Sequence, residues 1–265
     1  MRWVLSMILL CSTVAGGASD ETAGLIDQAI AGAHRTPENI HRHPKETLLF
    51  FGVEPHHHIV EITPGGGWYT EVLAPLARDK GRYYAAQFAL EEGAPGYQRR
   101  VRDNFLAKLA RNPAVYNNVV VTAFEPHRLG AIAPVGAADI VLTFRNVHNW
   151  TQQGTDAASF AAFFSVLKPG GVLGVVEHRA KEGTSVADMT RTGYMTESYV
   201  VRLAEQAGFR LLARSEINAN ARDTKDHPRG VWSLPPTLAG GNEDRARLST
   251  IGESDRMTLK FVKPR

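Results

Sequence analysis

The chain has 265 residues, of which 43% are hydrophobic and 22% charged, with a formal net charge of +3. This is an ordinary globular composition, and the roughly 240 residues left after an apparent leader suit one α/β domain better than two. The positive charge is weak and dispersed, with no basic run interleaved with aromatics, which argues against nucleic acid as a partner.

The N-terminus has the order of a secretory signal peptide. Arg2 gives a short positive end, Trp3 to Leu10 is mostly apolar, and Ala15, Gly16, Gly17 and Ala18 precede polar Ser19, Asp20 and Glu21. Residues 1–18 are therefore expected to be a cleaved leader, and the mature chain an exported, periplasmic protein. The apolar run is shorter than the roughly 20 residues that cross a bilayer, so no membrane span is expected in the mature chain. Cys11 is the only cysteine, so the mature chain would hold no disulfide, thiolate metal site or cysteine nucleophile.

Residues 19–57 are polar and histidine-rich, with helical stretches broken by Pro37 and Pro44, and read as an N-terminal helical arm. Within His56-His57-His58, an extended chain puts only His56 and His58 on one face. No conventional zinc spacing surrounds them, so a strand-entry loop is expected there, and no metal site. The main domain, residues 58–265, opens on the strand Ile59-Val60-Glu61-Ile62. Then come the glycine turn Thr63-Pro64-Gly65-Gly66-Gly67 and a helix with Trp68, Val72, Leu73 and Leu76 on one side. Gly81 ends that unit, and Arg82 to Ala86 reads as a second strand. A strand, glycine turn, helix and strand within about thirty residues make a βαβ unit, and hence a parallel sheet.

Val101, Phe105 and Leu109 recur at helical spacing up to Asn112-Pro113, and the basic residues of that helix, Arg99, Arg100, Arg102, Lys108 and Arg111, read as a solvated face. Asn118 to Thr122 and Asp139 to Phe144 are a third and a fourth strand. Phe160, Phe163, Phe164 and Leu167 form a helix face stopped by Lys168-Pro169-Gly170-Gly171, with the strand Val172 to Val176 behind it. Tyr199, Val200, Leu203, Ala204 and Ala207 make another helix, closed by Gly208. Phe209 to Ala213 and Met257 to Val262 are the last strands. Between them residues 218–242 form a long insertion rich in Pro, Gly, Asp and Asn, of the kind that is often functional. The expected architecture is a Rossmann-like, doubly wound, mostly parallel seven-stranded sheet with helices on both faces.

A glycine turn between strand and helix lets the backbone approach a ligand and aims helix N–H groups at it. The chain resembles class I S-adenosylmethionine-dependent methyltransferases over roughly residues 45 to 265. Glu61-Ile-Thr-Pro-Gly-Gly-Gly looks like a variant of their first motif, Asp139-Ile-Val-Leu-Thr-Phe is similar to the fourth-strand motif, and Leu167-Lys-Pro-Gly-Gly-Val-Leu resembles the fifth-strand entry. Glu197-Ser-Tyr with Leu203-Ala-Glu-Gln-Ala-Gly-Phe209 resembles the helix and sixth strand that follow. A group of exported "predicted methyltransferases" is similar in particular. The resemblance implies S-adenosyl-L-methionine as cofactor, held by Glu61, Thr63, Gly65, Gly66 and Gly67, with Gln87 at the ribose and Glu125 near the adenine. It departs from the family at Thr63-Pro64, which replaces the first glycine, and at Gln87, where an acidic residue is usual.

Ligands of open α/β sheets sit outside the carboxyl ends of the strands. Arg145, Asn146 and His148 follow the fourth strand, and Glu177, His178 and Arg179 follow the fifth. Asn146, His148, Glu177 and His178 are the candidates for acceptor positioning and proton transfer, because imidazole titrates near neutrality. Arg145 and Arg179 could hold an acidic substrate. His227, with Asp223, Lys225 and Trp232 nearby, marks a substrate lid, and Tyr194 could line the same pocket. The expected partner is a small-molecule substrate; the sequence carries no signal for oligomeric state. The rival reading, favoured by the two departures and by export away from the cytosol, is a repurposed metabolite- or metal-binding protein on the same fold.

Overall fold

The computed structural model describes residues 20–33, 39–90, 94–128, 131–240 and 244–265. The expected leader, residues 1–18, lies outside the described residues. The elements are α1 (Asp20–Gly32), α2 (Asn39–Arg42), α3 (Pro44–Phe51), β1 (His58–Ile62), α4 (Thr70–Leu76), β2 (Arg82–Phe88), α5 (Gly96–Arg111), α6 (Pro113–Tyr116), β3 (Val119–Phe124) and β4 (Ala138–Phe144). After them come α7 (Val147–Gln153), α8 (Asp156–Val166), β5 (Leu167–His178), α9 (Val186–Thr192), α10 (Glu197–Gln206), β6 (Arg210–Ser215), α11 (Arg245–Ile251) and β7 (Arg256–Val262).

All seven strands join one sheet in the order β3-β2-β1-β4-β5-β7-β6. β1 to β5 pair in parallel, and β7 runs antiparallel between β5 and β6. The chain order reverses between β1 and β4, which is where an open sheet parts its connections and leaves a crevice. Side chains alternate along β1, so Ile59 packs on the face carrying α1, α3, α4 and α5, while Val60 and Ile62 pack on the face carrying α7, α8 and α10. Burying both faces explains why these strands read as nearly continuous apolar runs.

Four points go beyond the sequence reading. The N-terminal arm is part of the core: Ile26, Leu48 and Phe51 are fully buried, because α1 packs on α4 and α3 lies across β5 and β7. The helix after the glycine turn begins at Thr70 rather than Trp68, since residues 65–69 are still turning. Lys168-Pro169-Gly170-Gly171 does stop α8, but it is absorbed as an irregularity of β5 against β4, with Gly170 N–H donating to the Lys263 carbonyl. The 245–251 helix had no counterpart in the sequence reading.

Candidate active site

At the switch point the chain leaves β1 and β4 through two non-glycine residues with positive φ, Thr63 (49°) and Arg145 (62°). For a β-branched residue this backbone costs about 1–2 kcal/mol. It is held by Thr63 N–H donating to the Ala86 carbonyl at 2.8 Å and Arg145 N–H donating to the Val176 carbonyl at 2.7 Å. Thr63 thus makes a left-handed turn directly after β1 without a glycine. Its hydroxyl is buried and has no hydrogen-bond partner among the described residues.

Three cavities meet at Thr63. A cleft of about 580 Å³ runs from Gly65 and Gly66 past Arg42, Arg145 and Asn146 to His148, His178 and Trp232. A second cavity of about 450 Å³ is walled by Phe88, Tyr97, Phe124, Trp150 and Glu125. A small one of about 50 Å³ lies beneath, between Glu61, Trp68, Arg145 and Arg256. Thr63 and Asn146 both line the two larger cavities and form the waist between them. Asn146 is fixed there because its amide donates to the Ile62 carbonyl at 3.0 Å and the Thr143 hydroxyl at 3.2 Å.

The glycines divide the work of the turn. A Cβ on Gly65 or Gly66 would meet nothing within 4 Å, so both present open backbone to the cleft. A Cβ on Gly67 would lie 2.9 Å from the Phe105 ring, so this glycine lets α5 close over the turn. Lys108 on α5 donates to the carbonyls of Gly66 (3.0 Å) and Gly67 (2.9 Å) and pairs with Glu71. It is a clamp on the turn, not part of a solvated face.

Glu177 is fully buried and organises the other wall. It accepts from the backbone N–H of Val147 at 2.6 Å, from that of His178 at 2.8 Å, and pairs with His148 Nδ1 at 3.0 Å. With the Nδ1 proton directed at Glu177, His148 presents Nε2 as the acceptor. The His178 ring lies 5.1 Å from the His148 ring, and its Nδ1 is 2.6 Å from Ser254 Oγ. Burial, then the neighbouring His148, Arg145 and Arg256, push the His178 pKa well below the ordinary imidazole value, so this ring is neutral. Among the described residues His148, Glu177 and His178 are the one group spaced to hold a metal ion. The neighbouring Arg145 and Arg256 guanidiniums and a carboxylate already filled by N–H donors make it a poor cation site. His56, His57 and His58 form no such group; His57 Nδ1 accepts from the Glu54 N–H at 3.2 Å.

Long-range contacts build the base of the cleft. Glu253 is 2% exposed and accepts from Arg42 Nε (3.0 Å) and Nη2 (2.6 Å) and from Arg256 Nη1 (2.8 Å). Arg145 Nη1 stands 3.6 Å from the same carboxylate. Burial by itself would raise the Glu253 carboxyl, but Arg42, Arg256 and Arg145 hold it below the usual range. Burial and the neighbouring Arg42 lower Arg145 to about 10, still a cation at neutral pH. Trp68 lies under the Arg42 guanidinium at 4.8 Å. Arg42, Glu253 and Arg256 carry no motif and lie up to 214 residues apart. No local pattern could have joined them.

The remaining sequence candidates separate. Glu61 lines the small cavity and is held in a buried network with the Tyr83 and Thr70 hydroxyls, where burial pushes it up to about 7. Gln87 lines neither large cavity; fully buried, it braces the turn by donating to the Gly65 carbonyl at 2.8 Å. Glu125 does line the aromatic cavity. Arg179 is spent on Glu216 and Asp255 and does not line the cleft. Tyr194 is buried behind His178 and donates to Asp223, and His227 Nε2 pairs with the same carboxylate at 2.9 Å. These residues lock the described part of that segment, 218–240, which reaches the cleft instead through Val231, Trp232, Pro235, Pro236 and Thr237. Trp232 stands 6.0 Å from the His148 ring.

No protein-family model matches the chain, and no curated protein matches its sequence. Solved structures do share its fold. A S-adenosylmethionine-dependent methyltransferase from Aquifex aeolicus aligns with TM-score 0.57 at 14% identity, over 91% of this chain and 98% of that one. The 4+2 cyclase SpnF aligns with TM-score 0.58 at 16% identity, over 92% of each chain. An arsenic(III) S-adenosylmethionine methyltransferase from Chlamydomonas reinhardtii aligns with TM-score 0.52 at 16% identity, over 91% of this chain and 73% of that one. The chain therefore has the Rossmann-like fold of class I methyltransferases, a fold that also carries an enzyme named as a cyclase.

Proposed function

We propose that this protein is a S-adenosylmethionine-dependent methyltransferase acting on a small molecule. The observation that carries the reading is the open backbone of Gly65 and Gly66 at the switch point, facing across one cleft to the His148–Glu177 pair. The residues present fit the cofactor. The aromatic cavity with Glu125 suits a nucleoside, the Thr63–Asn146 waist suits the linking atoms, and the glycine turn leaves room for an amino-acid tail. When bound, the cofactor supplies an electrophilic methyl group on a sulfonium. The chain's part is then mainly positioning. Asn146 is rigidly held at the waist, Trp232 and the segment around it shield one side of the cleft from water, and His148 Nε2 takes a proton from an acceptor hydroxyl or amine. Glu177, dry and hydrogen-bonded, steadies the resulting imidazolium. Export of the mature chain belongs to the same proposal and rests on the pattern of residues 1–18. Sequencing the N-terminus of the protein recovered from a periplasmic extract tests it.

A second reading, capture of a metabolite without turnover, is favoured by Gln87, which is turned into the glycine turn instead of offering a carboxylate to the cavity. Calorimetric titration with S-adenosylmethionine and S-adenosylhomocysteine separates the possibilities. The methyltransferase reading expects micromolar binding of both, abolished by Gly66→Val with the fold intact. Absence of binding at millimolar ligand sinks it.

A further inference from the structure

The methyltransferase reading leaves the acceptor unspecified, and the base of the cleft bears on its chemistry. We propose that the acceptor is an anion, and that Arg145 seats its carboxylate or phosphate group within reach of His148.

Charge balance is the first reason. Arg42, Arg145 and Arg256 converge on one carboxylate, Glu253. Three cations against one anion leave two positive charges in excess at the floor of a cleft. Nearby carboxylates offset this only in part: Glu177 is turned to His148 and the N–H groups of Val147 and His178, Glu71 is paired with Lys108, and Glu61, beside the small cavity, is bound by the Tyr83 and Thr70 hydroxyls and pushed up to about 7. Excess charge at a partly buried site is unfavourable unless a counter-ion joins it.

Unused donors are the second reason. The Arg145 side chain makes no hydrogen bond among the described residues, and its distance to Glu253, 3.6 Å, is too long for one. Arg145 nevertheless lines both the cleft and the small cavity. Arg256, 3% exposed, has its Nη atoms on Glu253 and the His41 carbonyl, while its Nε is buried with no partner. A planar fork with free donors matches the two oxygens of a carboxylate or phosphate.

Placement is the third. The strained backbone at Arg145, φ 62°, is held by the bond to Val176 and projects this side chain into the cleft. Arg145, His148 and Trp232 line the same cleft, and Arg145 is near enough to His178 to depress its basicity. An anion on Arg145 therefore leaves the rest of a small molecule between Trp232 and His148. Arg179, one strand over, is already paired with Glu216 and Asp255 and offers no such seat.

The proposal rests on the methyltransferase reading for the identity of the acceptor, and the test keeps the two apart. Benzoate, phenyl phosphate and neutral benzamide are titrated calorimetrically into the full chain, with and without saturating S-adenosylhomocysteine. Wild type, Arg145→Gln and Arg145→Lys are compared, with thermal midpoints checking that each variant folds. In the presence of S-adenosylhomocysteine the anions are expected to bind at least about tenfold more tightly than benzamide. Whichever of benzoate and phenyl phosphate binds more tightly identifies the group. Arg145→Gln should remove that preference, Arg145→Lys should restore part of it, and affinity for S-adenosylhomocysteine should be unchanged. Equal binding of benzamide, no anion binding at millimolar concentration, or anion affinity untouched by Arg145→Gln would overturn the proposal. So would loss of S-adenosylhomocysteine affinity in Arg145→Gln together with competition between the anions and S-adenosylhomocysteine, because the cluster would then hold the cofactor's own carboxylate. Arg145-dependent anion binding by a chain that ignores S-adenosylhomocysteine would instead sink the methyltransferase reading and leave the anion site standing.

Discussion

The two large cavities on either side of the Thr63–Asn146 waist differ in how they are assembled. The aromatic cavity draws on residues at or just past the ends of β1, β2, β3 and β4: Thr63, Phe88 and Ala89, Phe124 to Arg128, and Asn146, Asn149 and Trp150, with Tyr97 from α5. The charged cleft joins Arg42 from the N-terminal helices, Arg145 and His148 after β4, His178 at the end of β5, the segment around Trp232, and Glu253 and Ser254 ahead of β7. The first needs only the sheet edge and its nearest loops. The second needs segments peripheral to the sheet, and it holds nearly all the ionisable chemistry. A scaffold of this kind can keep one ligand constant and vary the other, because the two walls are carried by different parts of the chain.

Four changes break or sharpen that contrast. Removing the central carboxylate by Glu253→Ala leaves Arg42, Arg145 and Arg256 facing one another without a counter-charge, and the expected loss is about 3–5 kcal/mol in urea unfolding. Little or no loss would mean that the cluster is already neutralised by solvent. In the glycine turn, Gly67→Val drives a side chain into Phe105 from a positive-φ backbone, costing about 2–3 kcal/mol of stability. Gly66→Val should cost far less stability yet block the cleft. Equal destabilisation by the two would remove the assigned division between packing and binding.

The third change concerns pH. Folding depresses the His178 pKa below its unfolded value near 6.5. As pH falls below that value the unfolded chain takes up a proton first, and stability declines with a slope of at most about 1.4 kcal/mol per pH unit. His178→Gln should flatten this limb of the stability profile, which urea melts between pH 6.5 and 4.5 would read. On the aromatic side, Phe88→Ala should leave stability within about 1 kcal/mol and weaken S-adenosylhomocysteine about tenfold. Benzoate binding in the same variant should not change. A matching loss of both ligands would join the two cavities into one functional unit.

Much of this molecule could be read from local pattern. The strands of the sheet are contiguous apolar or β-branched runs. Gly65 and Gly66 stand between the first strand and helix, and Arg145, Asn146, His148, Glu177 and His178 follow strands directly. Strand ends converge at one sheet edge whatever the sequence elsewhere, so position along the chain was enough to bring His148 and Glu177 together. Thr63 shows the limit of motif reading: no glycine stands there, yet the backbone has a positive φ, held by the bond to the Ala86 carbonyl of β2.

Direction of side chains and choice of partners were decided only by the tertiary structure. Arg145 and Arg179 look alike in sequence, each just beyond a strand, but Asp255 and Glu216 reach only the second. Glu61 and Gln87 occupy motif positions, yet each is turned into a buried hydrogen bond, since a polar group cut off from water takes the partner that packing brings to it. Arg42 and Glu253, 211 residues apart, meet because α3 and β7 pack on the same strand, β5. Periodicity records which face of an element is buried. It holds no record of which distant charge that face will meet, because ion pairing acts through space after the chain has closed on itself.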